Sequence, residues 1–461
     1  MRPPSLPAYV SAFAAALVLC LVVVASPAGA SGEPSTLPLF SAAPPAKGAA
    51  AGDLADSVPV GVTRTRTVTL DGSAIDAAIR GSARLGIELF DGVTWTAERR
   101  SMRRNASGSV SWVGTLRSTA SATVRGSVVL VTRAGVTVAS IRIDGQVHML
   151  LPEPSPPGIP AAGRSTPRRH RLHEIDESSP RFQEDPPTPI RPTPERLAAA
   201  QRLATAKAAG TVAQDDGSIQ DVMVIYTEKA RTDAGGQIAI ENLIDLGITE
   251  TNLSYETSGV DHRVQLVHTA FTDYDELSGG GDARDLIQNP NDGFMDDIPP
   301  LRDLYGADMV KLVYSGGGCG RAFIMDVVSL AHAEFAYCRT DYFCISPGYT
   351  FQHELGHIQA ARHQRTALQP DSPFPFNHGF TDTLNQFRTI MAAGSSECPN
   401  GCPRRLAWSN PDVLDAETGT PMGIAETEPL PADNRKTLNA TAWTVANFRL
   451  SVSPIFSDDF E

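Results

Sequence analysis

With 461 residues, 41% of them hydrophobic and 20% charged, the chain is long enough for two or three globular units with real cores. Its formal net charge of −13 argues against nucleic acid or anionic lipid as a main partner and leaves the fold open.

The N-terminus reads as an export signal. Arg2 precedes the apolar run "YVSAFAAALVLCLVVVA", and "SPAGAS" follows, with Ala28 and Ala30 in the small-residue positions of a cleavage site. The run approaches spanning length, so an uncleaved anchor is the competing reading. The small-residue site favours removal, and Leu19 ahead of Cys20 argues against a lipid anchor. Residues 1–30 are therefore expected to be a signal peptide and the protein to be secreted, to the exterior or the periplasm. No later run is long and apolar enough to hold the mature chain in a membrane.

Residues 31–61, rich in Ala, Pro, Gly and Ser, read as a flexible leader. Over residues 62–151, runs such as "VTRTRTVTL" and "SVSWVGTL" alternate apolar with polar residues. That pattern predicts a small antiparallel sheet with one solvated face, and Asp144-Gly145 marks a hairpin. Residues 152–217 read as a proline-rich linker, open to proteolytic trimming, that ends in the Ala-rich helix "PERLAAAQRLATAKAAG". Residues 218–450 form a further unit. "QDVMVIYTEKA", "DHRVQLVHTAFTDY" and "ADMVKLVYSGG" are strand-like, and Ile240, Leu243, Ile244, Ile248 and Thr251 recur at helical spacing. "DARDLIQ" and "MDDIPPLRDLYG" read as short helices and "NRKTLNATAWTVANFRL" as the last one, which together predict an α/β layer arrangement. Residues 451–461 are an acidic tail.

Five cysteines remain once Cys20 leaves with the signal, in a compartment where disulfides persist. Cys398 and Cys402 enclose Pro-Asn-Gly and could close a small loop. Cys319 could pair with Cys338 or with Cys344, leaving one thiol over.

The chemistry concentrates in "GYTFQHELGHIQAARHQRT", where three of the ten histidines fall within eleven residues. His353 and His357 are four apart, so on a helix both imidazoles reach one metal ion from the same face. Glu354 is placed to hold a water beside that metal and take its proton, which suits hydrolysis of an unactivated amide. Gly356 would let the helix end early enough for the chain to bend towards a third histidine, His363.

"HELGHIQAARH" resembles the long zinc motif of the metzincins, and "FRTIMAAG" resembles the Met-turn that follows it. Together with "VMVIYTEKA", "TNLSYETSGV", "LRDLYGADMVKLV", "CGRA", "PFPFNHGF" and "SNPDV", residues 220–450 look like the bacterial peptidyl-Asp metalloendopeptidases, a reprolysin-like group. The resemblance implies an α/β (α+β) metzincin-type catalytic domain, with a mixed sheet and an active-site helix. The β-rich unit before it would be a propeptide that inhibits. It makes His353, His357 and His363 the ligands of one catalytic zinc ion, Glu354 the base, and Met391 the apolar floor beneath the metal. The substrates would be proteins or peptides cut on the amino side of aspartate. Three positions depart from the pattern: Ala360 replaces a glycine at the bend, Gln364 an aspartate, and Ala393 a tyrosine. None removes a ligand or the base.

Cleavage beside aspartate needs a cation, for which Arg362, Arg365 and Arg388 are candidates; His378 is a further residue near the cleft. The strand-like "DVVSLAHAEF", with His332, could be an edge strand that pairs with substrate. Asp275, Glu276 and Asp282 could bind calcium, although a solvated acidic loop is the better reading. No cysteine lies between residues 31 and 318, so latency cannot rest on a thiolate; "HRLHEIDE" offers His173, Glu174 and Asp176 instead. The competing functions are a zinc hydrolase of a non-protein amide and a non-catalytic adhesion or inhibitor protein with a vestigial site.

Overall fold

The alternation in residues 62–151 becomes most of the largest sheet, which is followed by a six-stranded sheet and two small two-stranded ones. The computed structural model describes residues 34–41, 59–90, 92–118, 124–154, 168–276, 279–365, 370–394, 398 and 401–452. The expected signal peptide, most of the leader and residues 453–461 of the tail lie outside the described residues. Ser35–Glu461 is one compact unit.

The larger sheet has ten strands, in the order Ser35–Pro38, Ala83–Glu88, Thr94–Arg104, Val110–Ser118, Val124–Arg133, Val136–Ile143, Gln146–Pro152, Arg169–Ile175, Val62–Leu70 and Phe40–Ser41. Its pairings are antiparallel apart from Ser35–Pro38 against Ala83–Glu88. The Asp144-Gly145 hairpin forms with φ of 48° and 77°, the left-handed pair that a two-residue turn of this hand requires. "RHRLHEI", which reads as linker in the sequence, is the strand Arg169–Ile175 and pairs with both Gln146–Pro152 and Val62–Leu70. Its apolar Leu172 and Ile175 are buried on the sheet, a strand signal that the neighbouring prolines mask.

The second sheet has six strands, ordered Thr188–Ile190, Gly320–Met325, Tyr337–Asp341, Met309–Tyr314, Ile219–Thr227 and Arg263–Thr272. The last four are mutually parallel, as helical crossovers demand. Gly320–Met325 runs antiparallel to Tyr337–Asp341, and Thr188–Ile190 lies parallel along its outer side.

The helix Gln237–Ser258 joins the two sheets. Its apolar residues Ile240, Leu243, Ile244 and Ile248 are buried, and Phe351 of the metal-motif helix packs within van der Waals reach of Gly247. The helix shares an apolar core with the ten-stranded sheet and also meets it through polar groups. Asn242 Nδ2 donates to the Val136 carbonyl at 3.0 Å, Ser109 Oγ donates to Asp245 at 2.7 Å, and Ser111 and Thr249 hydroxyls meet at 2.8 Å. Between its exposed ends, at Gln237 and at Glu256 and Thr257, this helix is covered on most sides, which is why many of its polar residues are buried along with its apolar ones.

The segment expected to be a substrate-binding edge strand is not one. Leu330–Phe335 is a short 3₁₀ turn, with His332 fully buried between Phe335 and Phe448. The strand bordering the cleft is Gly320–Met325 instead.

Candidate metal centre

The motif helix, Thr350–Ile358, is buried along its whole length. The i, i+4 spacing puts His353 and His357 on one face, with ring centroids 4.7 Å apart. The helix then ends in a Schellman arrangement: Ala361 N–H donates to the Gly356 carbonyl and Ala360 N–H to the His357 carbonyl, both at 2.9 Å. Ala360 takes the left-handed position that glycine usually fills, with φ of 72°. The bend therefore forms without glycine, at a cost of about 1–2 kcal/mol. It is pinned beyond by Arg362 N–H donating to the Asn377 carbonyl, and His363 swings back over the helix.

The three imidazoles converge. His363 Nε2 stands 3.1 Å from His353 Nε2 and 3.2 Å from His357 Nε2. On the far side of two rings sit acceptors: His353 Nδ1 faces the Ile390 carbonyl at 2.9 Å and His357 Nδ1 the Ala361 carbonyl at 2.8 Å. A carbonyl can only accept, so each Nδ1 carries the proton and each Nε2 presents a lone pair inward. Burial holds all three below their ordinary range, His353 pushed down to about 3 and His363 to about 4, and His357 well down. Three neutral nitrogens aimed at one point are a donor set for a divalent metal, and these histidines are the group that could hold one among the described residues.

Glu354 supplies the second sign of a ligand. Both its carboxylate oxygens are buried without a hydrogen-bond partner, and burial raises its pKa well above the usual carboxylate range. An orphaned buried carboxylate beside three convergent imidazoles fits a metal and its water. The strand Gly320–Met325 shapes this side: a Cβ at Gly320 would stand 2.4 Å from Glu354 Oε1, so only glycine lets the strand come this close.

Below the histidines, the turn Ile390–Met391–Ala392 is fully buried. Met391 lies under the helix at Gly356, where an added Cβ would be 3.0 Å from Met391 Sδ and 2.6 Å from the Trp408 ring. Gly356 thus serves close packing, since the helix runs on two residues past it. Gln364 holds the same turn from the other side, its Oε1 accepting from Ala393 N–H at 2.8 Å. Of the three departures from the pattern, Ala360 and Gln364 both have structural work, and Ala393 supplies the backbone N–H that Gln364 holds.

Of the candidate cations, Arg362 is committed to Asp326 and to the Ser372 carbonyl. Arg365 pairs with Asp371 at 2.5 Å. His378 Nδ1 faces the His363 carbonyl at 3.1 Å and so supports a histidine of the cluster. Arg388 is buried beside the turn and donates to the Ala392 and Cys402 carbonyls, each at 3.0 Å. Burial, reinforced by Arg404 next to it, pushes Arg388 down to about 10.

Sequence reasoning does not reach Arg404. Its guanidinium, fully buried, donates to the Gly348 carbonyl just before the motif helix and to the Ala392 carbonyl just after Met391. Its remaining partner is the Glu184 carboxylate, bound in two-pronged fashion at 2.5 and 3.2 Å. Glu184 also accepts from Thr350 Oγ1 at 3.3 Å. Burial alone would raise Glu184, but Arg404, with His353 adding, holds it well below the usual carboxylate range. Nothing local to "FQEDPP" or "CPRRLAW" announces this pair, which spans 220 residues.

The acids expected to confer latency are occupied elsewhere. Glu174 is bound by Thr63 and Arg64, His173 by Thr65 at 2.8 Å, and Asp176 caps Ser178 at 2.9 Å. The acids of the suggested calcium loop are likewise engaged where described: Asp282 pairs with Arg339 at 2.8 Å and Arg321 at 2.9 Å, and Glu276 accepts from Ser315 N–H. Of the cysteines, Cys319 pairs with Cys344 and Cys398 with Cys402, leaving Cys338 as a buried thiol.

Residues 242–364 match the metallo-peptidase family M12B, reprolysin-like. Over 401 residues the chain is 33% identical to the peptidyl-Asp metalloendopeptidase of Stenotrophomonas maltophilia, covering 83% of this chain and 87% of that protein. The peptidyl-Asp metalloendopeptidase of Xanthomonas campestris pv. campestris is 32% identical over 392 residues, 81% of this chain and 84% of that protein.

Proposed function

The chain belongs to the peptidyl-Asp metalloendopeptidases and is a metalloendopeptidase, and from that premise we propose that it is an exported zinc enzyme cutting on the amino side of aspartate. In this reading His353, His357 and His363 hold the ion in a metzincin-type arrangement, Met391 lies beneath it, and Glu354 is the base. The convergence of the three Nε2 atoms beside an unpartnered Glu354 carries the proposal. Zinc would supply a Lewis acid there, polarising a peptide carbonyl and making water acidic enough to deprotonate near neutral pH. Glu354 then takes a proton from the attacking water on a carboxylate oxygen and delivers it to the leaving amine nitrogen. The Ile390 and Ala361 carbonyls keep the protons of His353 and His357 on Nδ1.

Export is supported by the small-residue cleavage site and by the two disulfides, which persist in an oxidising compartment. No helix among the described residues is long and apolar enough to cross a membrane. The ten-stranded sheet, residues 62–151 with flanking strands, is read as a propeptide domain ahead of a peptidase domain over residues 218–450. The polar face that Gln237–Ser258 turns towards it favours this, since Asn242, Asp245 and Thr249 would be at home in water once the sheet leaves. The deciding experiment is to incubate the protein with a proteome digest, with and without a chelator, and to sequence the new termini. Chelator-sensitive termini beginning with Asp are expected; termini indifferent to the chelator would overturn the proposal.

A further inference from the structure

The segment after the larger sheet does not behave as a linker. Phe182 is buried against Phe343. The chain then runs along the strand that borders the histidine cluster. Cys319 N–H donates to the Gln183 carbonyl at 3.4 Å, Asp185 N–H to the Gly320 carbonyl at 3.0 Å, and Thr188–Ile190 pairs in parallel with Phe323, Ile324 and Met325. Residues 183–187 thus lie along the strand at which Gly320 approaches Glu354, and Thr188–Ile190 extends the sheet beyond it. Near the start of this run the backbone of Glu184 reaches solvent while its side chain turns inward and is fully buried.

What receives it is a fixed cation. Arg404 is clamped by two main-chain carbonyls on either side of the motif helix and the Met391 turn, and its two Nη groups also reach one carboxylate, while its Nε is buried without a partner. Arg388 is beside it, paired backbone to backbone, and donates to the same Ala392 carbonyl. A buried guanidinium stripped of its carboxylate is costly, so this place demands an anion whenever the cleft is dry. Its planar fork suits a carboxylate held in two-pronged fashion.

We propose that Arg404 is the specificity-determining residue that takes the acidic side chain of substrates, and that Glu184 occupies this place in the intact chain as a built-in competitor. This rests on the reading of the protein as an acid-selective peptidase and names the residue that selects. It also explains how the segment can lie in the cleft uncut. The bond on the amino side of Glu184 has the Gln183 carbonyl, which accepts from Cys319 N–H just ahead of the strand Gly320–Met325 and is thereby held away from the polarisation that cleavage requires. The two prolines that follow, Pro186 and Pro187, stiffen the run and limit its adjustment.

The test uses the zinc-loaded full chain, its trimmed product, and two fluorogenic peptides differing only in Asp or Asn at one position. Before any trimming, Glu184→Gln is expected to hydrolyse the Asp peptide at least about tenfold faster than the unaltered chain. In the trimmed enzyme the Asp-to-Asn ratio of kcat/KM is expected to fall at least about tenfold in Arg404→Gln, the factor carried by one charge-assisted hydrogen bond, with partial recovery in Arg404→Lys. Because Arg404 also ties down Gly348 and Ala392, zinc content and melting are followed in each variant. A synthetic peptide of residues 181–190 provides a readout free of folding. It should inhibit the trimmed enzyme competitively, and the same peptide carrying Glu184→Gln should inhibit at least about tenfold less well. Equal inhibition by both peptides, or a ratio unchanged in zinc-loaded Arg404→Gln, overturns the proposal. A ratio near one in the unaltered enzyme would sink the acid-selective reading itself; a high ratio that survives Arg404→Gln would remove only the assignment of Arg404.

Discussion

Gly356→Ala separates two roles for one residue because they predict opposite signs. If nothing packed against Gly356, alanine at this mid-helix position would stabilise the protein by about 1 kcal/mol through helix propensity. In the structure the helix continues to Ile358, and the added Cβ would meet Cη2 and Cζ3 of Trp408 at 2.6 Å and Met391 Sδ at 3.0 Å. Trp408 cannot swing aside. It is fully buried, its backbone N–H donates to Ser258 Oγ at 2.7 Å and its Nε1 to Ser254 Oγ at 2.9 Å. Overpacking of a rigid site costs about 1–3 kcal/mol, here at the upper end, so about 1–2 kcal/mol of net destabilisation remains after the propensity gain. Thermal unfolding of the zinc-loaded protein should show a melting point lower by about 2–8 °C, together with weaker zinc retention as His357 is levered away. A variant as stable as the parent, or more so, would refute the packing role.

Glu250 is buried between Ser346, whose hydroxyl donates to it at 2.8 Å, and Arg142 of the ten-stranded sheet. Burial outweighs Arg142 and raises its pKa to about 7, above the ordinary value, so the folded state holds a proton that the unfolded chain has lost. Stability from this group is full at low pH and falls as pH rises towards 7; Glu250→Gln should therefore shrink the drop in melting temperature between pH 5 and pH 8, and an unchanged drop would count against it. Replacing Cys319 and Cys344 by Ser removes a cross-link that closes 25 residues and ties the start of the edge strand to the approach of the motif helix. A loss of about 2–4 kcal/mol in denaturant unfolding is expected, and a change below about 1 kcal/mol would argue that the bridge is dispensable.

What the sequence makes legible follows from local periodicity. Four-residue spacing alone brings His353 and His357 together, and the runs around Met223, Leu266 and Leu312 are the strands expected of them. His363 is legible as a third histidine, although the bend that delivers it depends on Ala360 accepting a φ of 72°, which composition argues against. The misses are all tertiary. Arg404 and Glu184 meet across 220 residues, and the prolines around Glu184 look like linker because the strand they join belongs to another part of the chain. His332 reads as part of a strand because its neighbours are apolar, whereas those neighbours bury a short 3₁₀ turn. Cys319 has two possible partners in sequence, and only the fold brings Cys344 to it.

The most direct measurement is zinc content and peptidase rate on the same preparations of the unaltered protein, Glu354→Gln and His353→Ala. One zinc per chain is expected in the unaltered protein and in Glu354→Gln, with the rate of the latter down by about 10²–10⁴, the range for losing a positioned proton acceptor. His353→Ala should lose both zinc and activity. Full activity in Glu354→Gln, or stoichiometric zinc in His353→Ala, would contradict the assignment of base and ligands.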